Sequence, residues 1–146
     1  MCPVNKKLYP ENWDSEIRPR VLERAGNCCE ICKVPNYQIV FRGTTDIKDG
    51  DQVKKIEIYQ YATGEIFDSE TGEYIATDFY ADIEPLSGDP NQVAIKIVLT
   101  ISHQNHDVSD NRMENLKALC QLHHNRHDAQ YRANNRKRRQ WQLEMF

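Results

Sequence analysis

Two pairs of candidate metal ligands, at opposite ends of the central segment, constrain this chain more than any other feature. Cys29 and Cys32 form a Cys-x2-Cys pair, and Cys120 and His123 form a Cys-x2-His pair. Two such turns are how zinc-stabilised domains deliver four tetrahedral nitrogen and sulfur ligands. The sequence therefore predicts a structural Zn²⁺ site with three cysteines and one histidine.

The distribution of cysteine and histidine also favours metal binding over disulfide bonds. The five cysteines are an odd number with close pairs, and all five histidines lie within residues 103–127. In a reducing compartment such clusters bind metal more often than they form disulfides. Two alternatives for the ligand set stay open, because Cys28 could replace Cys29 and His127 lies one helical turn from His123. A metal that closes so long a loop is expected to supply much of the stability.

Length and residue patterning predict one domain over residues 1–146 with an α+β fold. A short helix is predicted within residues 12–26, starting near Arg18 because Pro19 fits the first turn, and ending before Gly26. The segment 38–100 is typical of β-structure. Strands are predicted at Ile39–Phe41, Lys55–Tyr61, Tyr74–Asp78 and Val93–Ile101, the last of them as a central strand leading into His103.

Turn-forming residues place a hairpin tip at Phe67–Tyr74. A second helix is predicted from His123 or His124 through Arg132, and its continuation into the basic tail at about residues 130–146 stays open. The chain start lacks the apolar core of a signal peptide, and no apolar run approaches the length of a membrane span. A cytoplasmic protein without a membrane partner is therefore expected.

The net charge of −3 hides a strong asymmetry along the chain. Residues 41–94 contain 12 Asp and Glu against 4 Lys and Arg, so the β-rich insertion at about 42–92 is acidic. From Ala129 onward, five basic residues face one acidic residue. A basic segment beside a cluster of metal ligands is compatible with a polyanionic substrate.

Metal-dependent phosphodiester hydrolysis needs a base, a cation and a group that holds the base in place. His103 follows a predicted strand, and a neutral imidazole suits base work near pH 7. His124 and Asp128 share one helix face, so they could hold a cation together. Asn115 lies between them and His103 in sequence, where it could hydrogen-bond across the loop.

The order of these residues resembles a known family. The segment ISHQNHDVSDNRMENLKALCQLHHNRHD is similar to the HNH motif of bacterial and phage endonucleases, and WDSEIRPRVLERAGNCCEICKVPN is similar to the helix and first zinc turn that precede it. The resemblance covers roughly residues 9–37 and 97–130. It implies a ββα-metal (HNH) core held by a structural zinc, an inserted antiparallel β lobe, and a bacterial or phage-infected host cell.

The resemblance also implies roles for individual residues. His103 would be the general base, Asn115 would orient the strand that bears it, and His124 would bind a catalytic Mg²⁺, Mn²⁺ or other divalent cation. The structural zinc would be held by Cys29, Cys32, Cys120 and His123.

Two positions depart from the family pattern. His123 stands where the family usually has a second cysteine, which leaves a common type of zinc site. Ser102 stands where many members have a metal-binding Asp or His, and serine is a poor cation ligand. His106 or Asp128 would then have to complete the catalytic cation site.

The expected partner is DNA, most simply a duplex, contacted through its phosphates. The acidic insertion is expected to face away from it and to serve a protein partner, self-association or limitation of access. The candidate nucleic-acid-binding residues are Arg126, Arg132, Arg136, Lys137, Arg138 and Arg139.

Two other classes of function compete with an active DNA endonuclease. One is a catalytically weak, zinc-stabilised nucleic-acid-binding or adaptor protein on an HNH scaffold, which Ser102 and the acidic insertion favour. The other is a small zinc-ribbon interaction protein, which leaves His103, Asn115 and His124 unexplained.

Overall fold

The computed structural model describes residues 9–89 and 91–144 and shows a mixed α+β fold with two antiparallel sheets. A single π-helical turn, Trp13–Ile17, precedes the first α-helix, and a 3-10 turn, Met113–Asn115, precedes the last strand. The elements are α1 (Arg18–Arg24), β1 (Ile39–Asp49), β2 (Gln52–Tyr61), β3 (Glu65–Asp68), β4 (Tyr74–Thr77), β5 (Glu84–Pro85), β6 (Ile95–Lys96), β7 (Thr100–His103), β8 (Leu116–Leu119) and α2 (Gln121–Glu144).

Helix α1 begins and ends where the sequence predicts. Pro19 lies in its first turn, where the missing N–H costs no hydrogen bond. Gly26 follows the helix with a φ of 65°, the left-handed conformation that closes many helices and that glycine adopts without strain. Val21 is the buried residue of α1 and anchors the helix to the core.

The acidic segment forms an antiparallel sheet of strand order β4-β3-β2-β1-β5, with β6 also paired to β1. A tight turn through Gly50 joins β1 to β2, and their register runs from Asp49 opposite Gln52 to Val40 opposite Tyr61. Strands β3 and β4 form the hairpin predicted around Phe67–Tyr74. The predicted antiparallel β-structure of this segment is therefore confirmed.

The predicted central strand Val93–Ile101 is wrong. The chain forms only the short strand β6 on β1, leaves that sheet, and then forms β7 on β8. Between them, Ile97 exchanges backbone hydrogen bonds with Gln38 (2.8 Å) and Tyr37 (2.7 Å). Ile97 and Leu99 are fully buried, so the apolar character of the run reflects core filling at a crossing between two sheets.

The final part of the chain has the order strand, strand, helix. Strand β7 pairs antiparallel with β8, from Thr100 opposite Leu119 to His103 opposite Leu116. Helix α2 begins at Gln121, slightly before the predicted start, and continues to Glu144. The segment predicted as a basic tail is thus helical as far as Glu144, and most of its side chains are exposed.

One hydrophobic core joins α1, both sheets and the cysteine turns. It includes Val21 of α1, Val40 and Tyr59 of the acidic sheet, Leu116 of β8, and Cys29. The inner face of the acidic sheet therefore shares its core with the segments that carry the candidate metal ligands. Within the described residues, neither helix combines the length and apolar character that crossing a bilayer requires.

The turn of the β3–β4 hairpin lies against the first cysteine turn. Gly72 has a φ of 78°, and a Cβ added there would meet the carbonyl oxygen of Cys32 at 2.5 Å and Cβ of Lys33 at 2.7 Å. Gly50 has a similar φ of 64°, but a Cβ there would meet nothing within 4 Å.

We expect Gly72→Ala to destabilise the zinc-loaded protein more than the control Gly50→Ala, as measured by urea unfolding. Both variants pay about 1–2 kcal/mol for a left-handed alanine. Gly72→Ala additionally displaces the cysteine turn, which adds about 1–3 kcal/mol. Equal losses of stability would show that the hairpin does not press on that turn.

Candidate metal centre and adjoining histidine site

The predicted zinc ligands converge in the structure. One ligand atom from each of Cys29, Cys32, Cys120 and His123 lies within 4.8 Å of the others, and all four residues are buried. The sulfurs of Cys32 and Cys120 are 3.8 Å apart, and His123 Nδ1 lies 3.2 Å from Cys120 Sγ and 3.9 Å from Cys29 Sγ. Tetrahedral zinc with its usual bond lengths separates two sulfurs by about 3.8 Å and a sulfur from a nitrogen by about 3.6 Å. The four residues therefore fit a zinc ion.

Local backbone structure positions the two ligand pairs. Lys33 has a φ of 61°, and its N–H donates to the Cys29 carbonyl (2.9 Å), which closes the first turn. Cys120 and His123 stand at the junction of β8 and α2, where the His124 N–H donates to the Cys120 carbonyl (2.9 Å). The start of a helix thus fixes the second pair.

Glu30 holds the first turn against β8. Its backbone N–H donates to the Ala118 carbonyl (2.9 Å), and its carboxylate accepts from the Ala118 N–H (2.7 Å). Arg24 pairs with the same carboxylate (3.0 Å) and donates to the carbonyls of Met113 (2.7 Å) and Leu116. This network brings the two distant ligand pairs into register, and nothing in the sequence pattern singled it out.

Hydrogen bonds among the four side chains shift pKa values within the cluster in different directions. Hydrogen bonds from Cys120 and Cys32 lower the pKa of Cys29, whereas the hydrogen bond with Cys120 raises the pKa of Cys32. Burial alone lowers the pKa of His123, but hydrogen bonds to the Cys120 and Cys29 sulfurs outweigh it and raise the pKa to about 9. A metal must displace the protons of these groups when it binds.

Neither alternative ligand lies in the cluster. Cys28 is half-buried, and its thiol donates to the Gly26 carbonyl (3.4 Å). His127 faces the 104–112 loop, where its ring stacks on His106 at a centroid distance of 4.4 Å. The residues that could hold a metal together are therefore Cys29, Cys32, Cys120 and His123.

Two residues of the acidic sheet complete the surroundings of the cluster. The guanidinium of Arg42 on β1 is buried and donates from Nη2 to Cys120 Sγ (3.2 Å). The hydroxyl of Tyr59 on β2 donates to the Cys32 carbonyl (2.7 Å). Sequence reasoning missed both residues, because their distance from the ligands along the chain gave no signal.

His103 ends β7 and is 7 % exposed. Its ring stacks on Trp13 at a centroid distance of 5.4 Å, and Tyr9 lies 5.9 Å away. Nε2 contacts the amide oxygen of Asn111 (2.9 Å). Since that oxygen can only accept, Nε2 carries the proton in this arrangement and Nδ1 is the basic nitrogen of the neutral ring. The imidazole is therefore held by stacking and by one hydrogen bond.

Asn115 fixes the loop that follows His103. Its amide group donates to Asn105 Oδ1 (2.9 Å) and to the Asp110 carbonyl (2.8 Å), and its Oδ1 accepts from the Asn105 N–H (3.1 Å). Its own carbonyl accepts from the Gln104 N–H (2.8 Å), directly after His103. Asn115 therefore positions the backbone on both sides of the loop rather than contacting a histidine.

The other site candidates meet around Asp128 on α2. One oxygen of Asp128 lies 3.4 Å from His124 Nε2, and the other lies 3.7 Å from His106 Nδ1. His106 also stacks on Tyr131 at 3.8 Å. Burial lowers the pKa values of both His106 and His124, although Asp128 opposes this, so both rings tend to be neutral and available as metal ligands.

This second group is looser than the cysteine cluster. Among the described residues, the Cys3His set is the one group of three or more side chains whose ligand atoms are gathered closely enough to hold a metal ion. Ser102 is 2 % exposed, and its hydroxyl has no hydrogen-bond partner in the described part of the chain. On β7 it shares a face with Thr100, whose hydroxyl contacts His124 Nδ1.

The basic residues of α2 fall on different faces. Arg132, Arg136 and Arg139 follow the i, i+4, i+7 pattern of a single helix face, which also includes Asp128. Lys137 and Arg138 lie at least about 100° around the helix axis from each of these three arginines. Arg126 pairs with Glu57 of the acidic sheet (2.6 Å), so part of its charge is already neutralised.

No protein-family model, no curated protein and no solved structure matches this chain at a significant level.

The adjacent cysteines provide a matched test of the metal centre. We expect Cys29→Ser to abolish stoichiometric zinc binding and to lower the thermal unfolding temperature, because a buried ligand is lost. Cys28→Ser should retain zinc and stability, because its thiol lies outside the cluster. Metal analysis and thermal unfolding, each with and without EDTA, measure both effects. Zinc retention by Cys29→Ser together with loss in Cys28→Ser would reverse the assignment.

Proposed function

We propose that this protein is a metal-dependent DNA endonuclease of the HNH type, whose ββα core is formed by β7, β8 and α2 and is held by a structural zinc. One observation carries the proposal. His103 ends β7, Asn115 precedes β8 and His124 lies in the first turn of α2, so a base, a positioning group and a metal ligand occupy successive elements.

His103 suits the role of general base. It ends a strand whose partner β8 begins opposite it at Leu116 and leads to the zinc ligand Cys120 at its other end, so one two-stranded sheet connects the base to the zinc site. The Asn111 contact fixes the tautomer, and stacking on Trp13 fixes the plane of the ring. A neutral imidazole held in this way can accept the proton of an attacking water.

The cation would bind at Asp128 and His124, with His106 as the third protein group. When bound, a divalent cation would supply charge neutralisation at the phosphate and at the leaving oxygen. A carboxylate with one or two further ligands is sufficient when substrate phosphate oxygens complete the coordination. The separation of Asp128, His124 and His106 therefore agrees with a site whose coordination is completed by substrate phosphate oxygens.

The arginines of α2 would hold the DNA. Arg132, Arg136 and Arg139 extend from the Asp128 site over about 15 Å of helix, at 1.5 Å per residue. Contacts from this face to phosphates give affinity without sequence information. The DNA backbone would then enter the site in line with the helix.

Plasmid nicking tests the catalytic proposal. Zinc-loaded protein is incubated with supercoiled plasmid and Mg²⁺, Mn²⁺ or Ni²⁺ in turn. We expect metal-dependent nicking that falls by about 10²- to 10⁴-fold in His103→Ala, because a general base is lost. The control Cys28→Ser should nick at the wild-type rate, and zinc content and circular dichroism should be unchanged in both variants.

An intact plasmid with every metal, for wild-type protein with full zinc content, would contradict the endonuclease. So would equal nicking by wild-type protein and by folded His103→Ala. In either case DNA affinity, measured separately, would distinguish the second candidate function below.

Two double variants of equal charge test the DNA-binding face. We expect Arg136→Ala with Arg139→Ala to reduce the salt dependence of duplex binding by about two phosphate contacts. The control, Lys137→Ala with Arg138→Ala, removes the same charge from other faces of the same helix. It should reduce the salt dependence by well under one phosphate contact. Fluorescence anisotropy across a salt series measures both. Equal effects would show that the helix contributes only diffuse charge.

A second candidate function has a specific observation in its favour. Ser102 is a poor ligand for a cation, and Asp128, His106 and His124 are not gathered as tightly as the zinc ligands. A zinc-stabilised nucleic-acid-binding or adaptor protein would need only the α2 face and the fold. It would bind duplex DNA with the salt dependence described above and would leave plasmid intact with every metal.

A further inference from the structure

The zinc centre has a charge that its four ligands cannot balance. Three thiolates and a neutral imidazole around Zn²⁺ carry a net charge of −1. The cysteine ligands are fully buried and His123 is 7 % exposed, so water cannot stabilise that charge effectively. A buried net charge is costly unless an opposite charge lies beside it.

Arg42 meets this requirement. It is 3 % exposed, and its Nη2 donates to Cys120 Sγ at 3.2 Å. Among the described residues its Nε and Nη1 are buried without a hydrogen-bond partner. The guanidinium lies 5.8 Å from the centre of the Tyr59 ring. A buried cation that has a cysteine sulfur as its neighbour is best explained by an anionic cluster at that sulfur.

The two strands that approach the cluster belong to the acidic sheet. Arg42 lies on β1 and contacts the sulfur of one ligand, while Tyr59 lies on β2 and donates to the carbonyl of Cys32. The sheet thus contributes one group to each ligand pair.

We propose that Arg42 is the counter-ion of the zinc centre and a positioning residue for Cys120, and that the acidic sheet is the outer layer of that centre. This role is independent of nuclease activity. The acidic sheet would then have a structural role, because without Arg42 the protein would bury the negative charge of the zinc centre with no opposite charge beside it.

Chelator competition tests the proposal. We expect Arg42→Met, which removes the charge but keeps most of the volume, to weaken zinc binding by about 10- to 100-fold. The control Arg20→Met removes the same charge from an exposed position on α1 and should stay within about twofold of wild type. Zinc affinity is measured against a chromophoric chelator.

Cobalt substitution supplies a second readout. An N–H donor withdraws electron density from a thiolate, so losing it should move the sulfur-to-Co²⁺ charge-transfer band to lower energy in Arg42→Met. The band of Arg20→Met should not move. Unchanged affinity and an unmoved band in folded Arg42→Met would overturn the counter-ion role, as would a wild-type protein that binds no zinc.

A further pair of variants decides the matter if Arg42→Met does not fold. Arg42→Lys keeps the positive charge and Arg42→Gln removes it, while both retain a polar donor. The Arg42→Lys protein should bind zinc at least about tenfold more tightly than the Arg42→Gln protein, which is the smaller effect expected for losing a group that contacts a metal ligand. Equal affinities of the two variants would overturn the proposal.

Discussion

The convergence of three thiols and one imidazole is the constraint on which the rest of the structure depends. The first turn, β8 and the start of α2 each contribute to this cluster, so its geometry fixes how these elements meet. Glu30 and Arg24 reinforce the same junction through hydrogen bonds to β8. The candidate catalytic groups stand on the strand and helix that leave it, which gives them a rigid base.

The metal ligands and the outline of the fold could be predicted because their signals are local. A two-residue spacing brings both members of a ligand pair to one turn, and Pro19 and Gly26 mark a helix by their own backbone preferences. The prediction of one strand over Val93–Ile101 was wrong because a buried crossing between two sheets and a buried strand both require apolar residues, so the sequence does not distinguish them.

Other features could not be predicted because they are relations between distant segments. An arginine such as Arg42 is predicted to lie on the surface, because charged side chains are seldom buried. Only the approach of β1 to Cys120 brings it to the candidate metal centre. Arg126 was expected to face DNA, yet it pairs with Glu57 across the molecule. Arg132, Arg136 and Arg139 share one helix face because α2 continues to Glu144, and the sequence alone left that continuation open.

The position of the acidic sheet between the two ligand pairs has a consequence for the order of folding. Strands β1 to β4 are joined by short hairpins, which close quickly at small entropic cost. The ligand pairs are separated by this whole segment, so their encounter is a slow, long-range step. We therefore expect the sheet to form first. By bringing its two ends close together, it would shorten the distance over which the two ligand pairs must find each other.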